Sequence, residues 1–304
     1  MPTSYSGDPG SSPAVTPVRT HRPLKGLRLL SLALNLPGPA AHMRCRDMGA
    51  RCIKLEPPSG DPMSRYNPRA YADLHMGVKI LKADLKTPAG QALLHRELAR
   101  TDVLVTSFRP SALTKLGLAW RSLHRQYPAL SQVAIVGGAG SRAEEAGHDL
   151  TYMAEAGLLN GMELPASLYA DMGGSLMASE AVLKAVMVQR ATQRGVYIET
   201  ALADAATYLA LPCQWGLTGS TGMVGGAHAG YAIYACKDGR VALAALEPHF
   251  ASRLCAVAGL NPSTAIDMLA AQTREALAAF FLSRTRKQIG QLAARHDLPL
   301  QTLP

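Results

Sequence analysis

Short, continuously apolar runs alternate with helix-like stretches along most of this chain, and that rhythm restricts it to an α/β fold. Residues 27–34 form the first run, which Asn35-Leu36-Pro37-Gly38-Pro39 breaks. Residues 40–48 then read as a helix ending at Gly49, and residues 51–55 as a second strand closed by Pro57-Pro58. Strands that are apolar throughout, instead of alternating, are those buried on both faces of a parallel sheet. Further strands are predicted over 78–85, 102–108, 132–136 and 196–200. Helices fall between them. One opens on Thr87-Pro88, a good cap and first-turn pair, and runs to Arg100. A long amphipathic helix is predicted over 172–189 with Asp171 at its head, and another over 204–217. This order predicts a Rossmann-like, doubly wound parallel sheet.

The Gly-rich stretch 219–230 marks a domain boundary. Beyond it, strands at 231–236 and 241–246 flank Lys237-Asp238-Gly239, a hairpin signal, and helices follow. The expected organisation is a flexible Ser/Pro/Thr/Gly-rich leader (1–20), a large domain (21–218) and a smaller α+β domain (219–304).

Composition narrows the function classes. Hydrophobic residues are 48% and charged residues 17%, which is globular. The net charge of +9 admits nucleic acid, an anionic surface or a phosphorylated small molecule as partner. Basic residues are scattered singly and aromatics are only 5%, so no nucleic-acid partner is expected, while a phosphate-bearing ligand stays open. The five cysteines are odd in number and lack CxxC spacing; they read as reduced thiols of a cytoplasmic protein, with no metal site. No apolar stretch reaches the roughly 18 to 20 residues of a membrane helix, so no membrane partner is expected.

Three segments stand out from scaffold. Ala146-Gly147-His148-Asp149 can present a histidine to a cleft with a carboxylate beside it, although a surface His-Asp pair at a helix start is the commoner meaning of the pattern. Asp171-Met172-Gly173-Gly174 has the form of an ordinary Asp cap, yet two glycines in a first turn lower helix propensity. They make sense where an oxyanion or phosphate must approach free backbone N–H groups. Leu246-Glu247-Pro248 follows the second hairpin strand and reads as either a solvated helix start or a carboxylate brought to a site. A G-x-G-x-x-G loop, a Walker loop and a G-x-S-x-G elbow are all missing.

Several short motifs recur in a fixed order: Leu36-Pro37-Gly38-Pro39, Lys54-Leu55-Glu56-Pro57-Pro58, Gly60-Asp61-Pro62, Ala83-Asp84-Leu85-Lys86 and Phe108-Arg109-Pro110. In these, from about Leu24 onward, the chain resembles the family III CoA-transferase and α-methylacyl-CoA racemase superfamily. The resemblance implies an acyl-CoA substrate, coenzyme A entering only as part of that substrate with no permanently bound cofactor, and an interlocked homodimer. It makes Asp171 the central catalytic residue, as an acid-base or as a nucleophile forming a mixed anhydride with the acyl group. His148 within Ala-Gly-His-Asp, supported by Glu247, matches the racemase pattern, so racemisation of a 2-methylacyl-CoA is expected ahead of CoA transfer. A non-catalytic acyl-CoA-binding protein is the third reading. The family's CoA-binding positions fall on Ala83, Leu85, Lys86, Ser107, Phe108, Arg109 and Lys115. Gly147, Asp149, Leu150, Thr151 and Tyr152 would lie beside the thioester. The family's C-terminal return segment is expected to be short or missing after Pro304, its basic stretch before the third strand is thinned to His75-Met76-Gly77-Val78-Lys79, and Gly137-Gly138-Ala139-Gly140 replaces its aromatic-Gly-Gln.

Overall fold

Apolar runs buried on both faces assemble in the expected way. A computed structural model describes residues 21–260 and 267–304, so the predicted leader lies outside the described residues. Six strands, β1 (Arg28–Ser31), β2 (Arg51–Glu56), β3 (Lys79–Lys82), β4 (Val103–Thr106), β5 (Ser131–Val136) and β6 (Tyr197–Ala201), pair in parallel in the order β3-β2-β1-β4-β5-β6. This is the doubly wound order, with β1 central and the strand order reversing between β1 and β4. Leu29 aligns with Cys52 on one side and Val103 on the other.

Among the described residues, the α-helices of this part are α1 (Pro37–Asp47), α2 (Met63–Tyr66), α3 (Pro68–His75), α4 (Pro88–Leu98), α5 (Pro110–Lys115), α6 (Trp120–Gln126), α7 (Asp149–Glu155), α8 (Tyr169–Thr192) and α9 (Leu202–Gln214). Successive strand residues point to opposite faces. Leu29, Val103, Val105 and Ile135 therefore pack on one side against Ala41 and Cys45 of α1 and Ala178, Val182 and Val186 of α8. Leu30, Ile53, Leu55 and Leu104 pack on the other against Leu94 and Leu98 of α4 and Leu123 of α6. At about 1.5–3 kcal/mol for each large apolar side chain removed from water, only a sheet covered twice uses both sets.

Some boundaries depart from the sequence reading. Helix α1 starts at Pro37, inside the predicted break, because Pro is tolerated in a first turn. Helix α8 starts at Tyr169, ahead of the predicted Asp171 cap, and its N-cap residue, Leu168, makes no side-chain cap. The chain divides between Tyr208 and Leu209, earlier than the Gly219 boundary suggested by glycine content.

The second unit holds a three-stranded antiparallel sheet, β7 (Tyr231–Cys236), β8 (Gly239–Ala244) and β9 (Leu300–Leu303). The β7–β8 hairpin turns at Lys237-Asp238, as read; β9 was not anticipated. Helices α10 (Pro248–Val257), α11 (Ala271–Leu282) and α12 (Arg286–His296) belong to the same unit, and its core gathers Tyr234, Val241, Leu243, Leu254, Leu277, Phe281 and Ile289.

Candidate functional site

Open parallel sheets leave a crevice beyond the carboxyl ends of their strands where the strand order reverses. A pocket of about 340 Å³ lies there. Leu34, Asn35 and Pro37 after β1, Ser107, Phe108 and Arg109 after β4, and Val136 and Gly137 around the end of β5 line it, with Ala146, Gly147, His148, Tyr152, Asp171 and Leu202. The loop after β1 is tied to the loop after β4 by the Leu34 N–H, which donates to Ser107 Oγ at 3.3 Å.

His148 is the N-cap of α7 and is exposed. Its backbone is fixed by Thr151, whose Oγ1 accepts from the His148 N–H at 3.0 Å and donates to the His148 carbonyl at 2.7 Å. His148 makes no side-chain cap hydrogen bond and lines the pocket. Tyr152, one turn on, is buried, and a Cβ at Gly137 or Gly147 would stand 2.3 or 2.4 Å from its hydroxyl. Both positions are glycine because the phenol occupies the space of a side chain.

Asp171 sits in the first turn of α8, half-buried in the same pocket. Its N–H donates to the buried Asp149 carboxylate at 2.9 Å. Burial pushes the Asp171 carboxyl up to about 6, the Asp149 charge adds to the rise, and His148 opposes it. A carboxyl that is neutral or charged within a unit or so of neutrality can give and take a proton on demand.

The glycines after Asp171 do not have the role suggested by the sequence. Because α8 begins at Tyr169, Gly173 and Gly174 lie past the first turn, where helical register commits their N–H groups to carbonyls four residues back. Gly174 packs closely instead: a Cβ there would stand 2.3 Å from Leu202 Cδ2, which would have to move aside. The first amides of α7, at Asp149 and Leu150, and of α8, at Tyr169 and Ala170, have no helical acceptor.

The family model for CoA-transferase family III matches residues 24–303. The chain belongs to that family. Among its relatives, human alpha-methylacyl-CoA racemase is 31% identical over 256 residues, covering 78% of this chain and 65% of the relative. Succinyl-CoA–D-citramalate CoA-transferase from Chloroflexus aurantiacus is 33% identical over 190 residues, covering 58% of this chain and 47% of the relative. The chain thus spans half to two-thirds of the length of these relatives. A solved CAIB/BAIF family protein from Brucella suis superposes with a TM-score of 0.78 at 25% identity, covering 93% of this chain and 84% of that one.

Of the positions carried over from the family III resemblance, Ser107, Phe108, Arg109, Gly147, His148, Tyr152 and Asp171 meet at the pocket. Ala83, Leu85, Lys86, Lys115, Leu150 and Thr151 do not line it; Ala83 and Leu85 pack against the core of their own face, and Lys86 and Lys115 are exposed. Asp149 does not line the pocket; its carboxylate accepts the Asp171 N–H. Glu247 belongs to the second unit, where it is exposed and precedes α10. Asn35, Leu202 and Glu145 also line the pocket and were not singled out from the sequence. A signal for Asn35 was present: a polar residue in the first βα loop of a doubly wound sheet lies at the switch point.

Proposed function

We propose that this family III protein inverts the configuration at the α-carbon of a 2-methylacyl-CoA. The observation that carries this reading is a pair of proton carriers, His148 and Asp171, on one pocket, with the carboxyl held near 6. Neutral His148 takes the α-proton on one face and Asp171 in its acid form delivers one to the other; the roles exchange for the opposite enantiomer. Between the two transfers the thioester oxygen carries enolate charge, which is stabilised by hydrogen-bond donors aimed at it. Arg109, exposed at the rim, suits a CoA phosphate.

Incubation with one enantiomer of 2-methylbutyryl-CoA in deuterated water tests the reading. Deuterium should enter the α-carbon as the optical activity falls, and His148→Ala should abolish both. No exchange in the wild type rejects it. The second reading is CoA transfer, favoured by the transferase relative at comparable identity. Here ionised Asp171 attacks the thioester carbonyl and expels CoA thiolate to give a mixed anhydride; the acceptor carboxylate displaces the donor acid at the Asp171 acyl carbon, and the CoA thiolate then attacks the acceptor acyl carbon of the new anhydride, forming acceptor-CoA and freeing Asp171. Hydroxylamine trapping of an acyl-Asp171 adduct would favour it. Acyl-CoA binding without either reaction would leave the third, non-catalytic reading.

A homodimer is proposed from the outer face of α8. Tyr169, Met172, Leu176 and Met187 are all exposed there and fall within a sector of roughly 60° at 100° per residue. A cytoplasmic setting is proposed from five free cysteines. Among the described residues, no helix is long and apolar enough to cross a membrane.

A further inference from the structure

Lys54 of β2 is wholly buried, the most costly place for an ammonium group, and it is held by two hydrogen bonds and a further ion pair. Its Nζ is bonded to the Asp61 carboxylate, lies 2.8 Å from His75 Nε2 and 3.4 Å from Glu56 Oε1. His75 Nδ1 lies 2.7 Å from the Tyr71 carbonyl and must donate to it, so Nε2 is the unprotonated nitrogen and accepts from Lys54. Tyr71 closes the ring by donating to Glu56 Oε1 at 2.9 Å. Glu56, Asp61 and His75 each offer a ligand atom, all within 4.8 Å of one another, a set that would suit a divalent cation. The Lys54 ammonium stands where such an ion would sit and satisfies the set.

One branch of this cluster leaves it. The Asp61 carboxylate accepts the Asn35 N–H, at 3.2 Å to Oδ1 and 3.1 Å to Oδ2, and the Met63 N–H at 2.9 Å. Asn35 is one of three described non-glycine residues with positive φ, at 62°, a left-handed conformation that costs a non-glycine residue energy and persists only when its surroundings hold it. Its loop, Leu34-Asn35-Leu36-Pro37, forms the wall of the pocket that holds His148 and Asp171.

We infer that the Lys54–Asp61 pair, braced by Glu56 and His75, is a positioning device that clamps Asn35 in its left-handed conformation and so sets the substrate-facing wall of the catalytic pocket. The inference rests on the proposed site, and extends it to residues that touch no substrate. Removing the charge of Asp61 leaves the side chain's size but weakens both the Lys54 anchor and the grip on the Asn35 amide. Wall and proton carriers then drift apart by fractions of an ångström, enough to slow a proton transfer that needs near-contact geometry.

The test uses the full chain with Asp61→Asn, Asn35→Val, and Asp61→Asn combined with Asn35→Gly. Substrate deuterium exchange and backbone amide exchange of residues 34–36 are both read. Asp61→Asn should lower kcat by about 10- to 100-fold with KM changed less than about threefold, and should speed amide exchange at Asn35. Glycine at 35 adopts positive φ unaided, so the double variant should recover much of the lost kcat. Asn35→Val, which cannot hold that conformation, should reproduce the loss with the cluster intact, and decides the matter should Asp61→Asn fail to fold. Wild-type kcat in Asn35→Val, or no recovery in the double variant, overturns the inference. Should the wild type show no substrate exchange, the proposed reaction fails, yet unchanged amide exchange at residues 34–36 in Asp61→Asn would still separately refute the clamp.

Discussion

Burial lifts the Asp171 carboxyl from 3.8 to about 6, with Asp149 adding to the effect. Between those values the folded protein holds a proton that the unfolded chain has released, so stability falls as pH rises through that window and is level above it. Replacing the group by one that never ionises removes the penalty. Asp171→Asn should therefore abolish turnover and, at pH 7.5, stabilise the fold by on the order of 2 kcal/mol, a figure reduced from the bare shift because the pocket admits water. Denaturant melts at pH 4 and pH 7.5 check this: the gain should be present at the higher pH and vanish at the lower. Asp171 and His148 were legible in the sequence only through the motifs around them. Gly174 was legible as unusual but for the wrong cause, since its close contact is with Leu202, distant in sequence. Lys54 gave little local sign of burial, because two of the side chains that satisfy it, Asp61 and His75, lie beyond its strand.

At the scale of elements, the strands of the large sheet were read within a few residues because a run buried on both faces has no polar gaps. Helix starts were harder. Thr87 caps α4 with its side chain accepting from Gly90 N–H, a signal the sequence carries; Leu168 makes no side-chain cap, so nothing local marks where α8 begins. β9, four residues of mixed character, is a strand only because β8 offers it an edge, which no local pattern announces. Helix α8 combines two jobs, a buried face on the sheet and an apolar outer stripe through Leu176. Leu176→Glu places a charge on that stripe without touching the sheet face. It should convert a dimer into a monomer in sedimentation analysis while leaving thermal stability within about 0.5 kcal/mol of a monomeric reference, as surface substitutions do.

Across the whole molecule, 31 basic residues against 22 acidic ones give a field that favours an anionic ligand before any contact forms. Acyl-CoA carries phosphates, while a truncated pantetheine thioester carries none. Raising the salt from 50 to 500 mM should increase KM for acyl-CoA several-fold through screening and leave that of the pantetheine thioester nearly unchanged. Composition made this charge legible from the start, though not where it would act. That depended on the strand order, because only the reversal between β1 and β4 defines a crevice.

The pocket draws nearly all its lining from connecting segments and helix ends; of the strands themselves, only Ile135 and Val136 of β5 contribute. Loops accept substitution far more readily than a close-packed sheet does. Inheritance of the scaffold and inheritance of the reaction are therefore separable in this architecture. A lineage can exchange the residues opposite Asp171 while every strand register is conserved. Relatives named for isomerisation and for group transfer, each about a third identical to this chain, are what such a division of labour leaves behind.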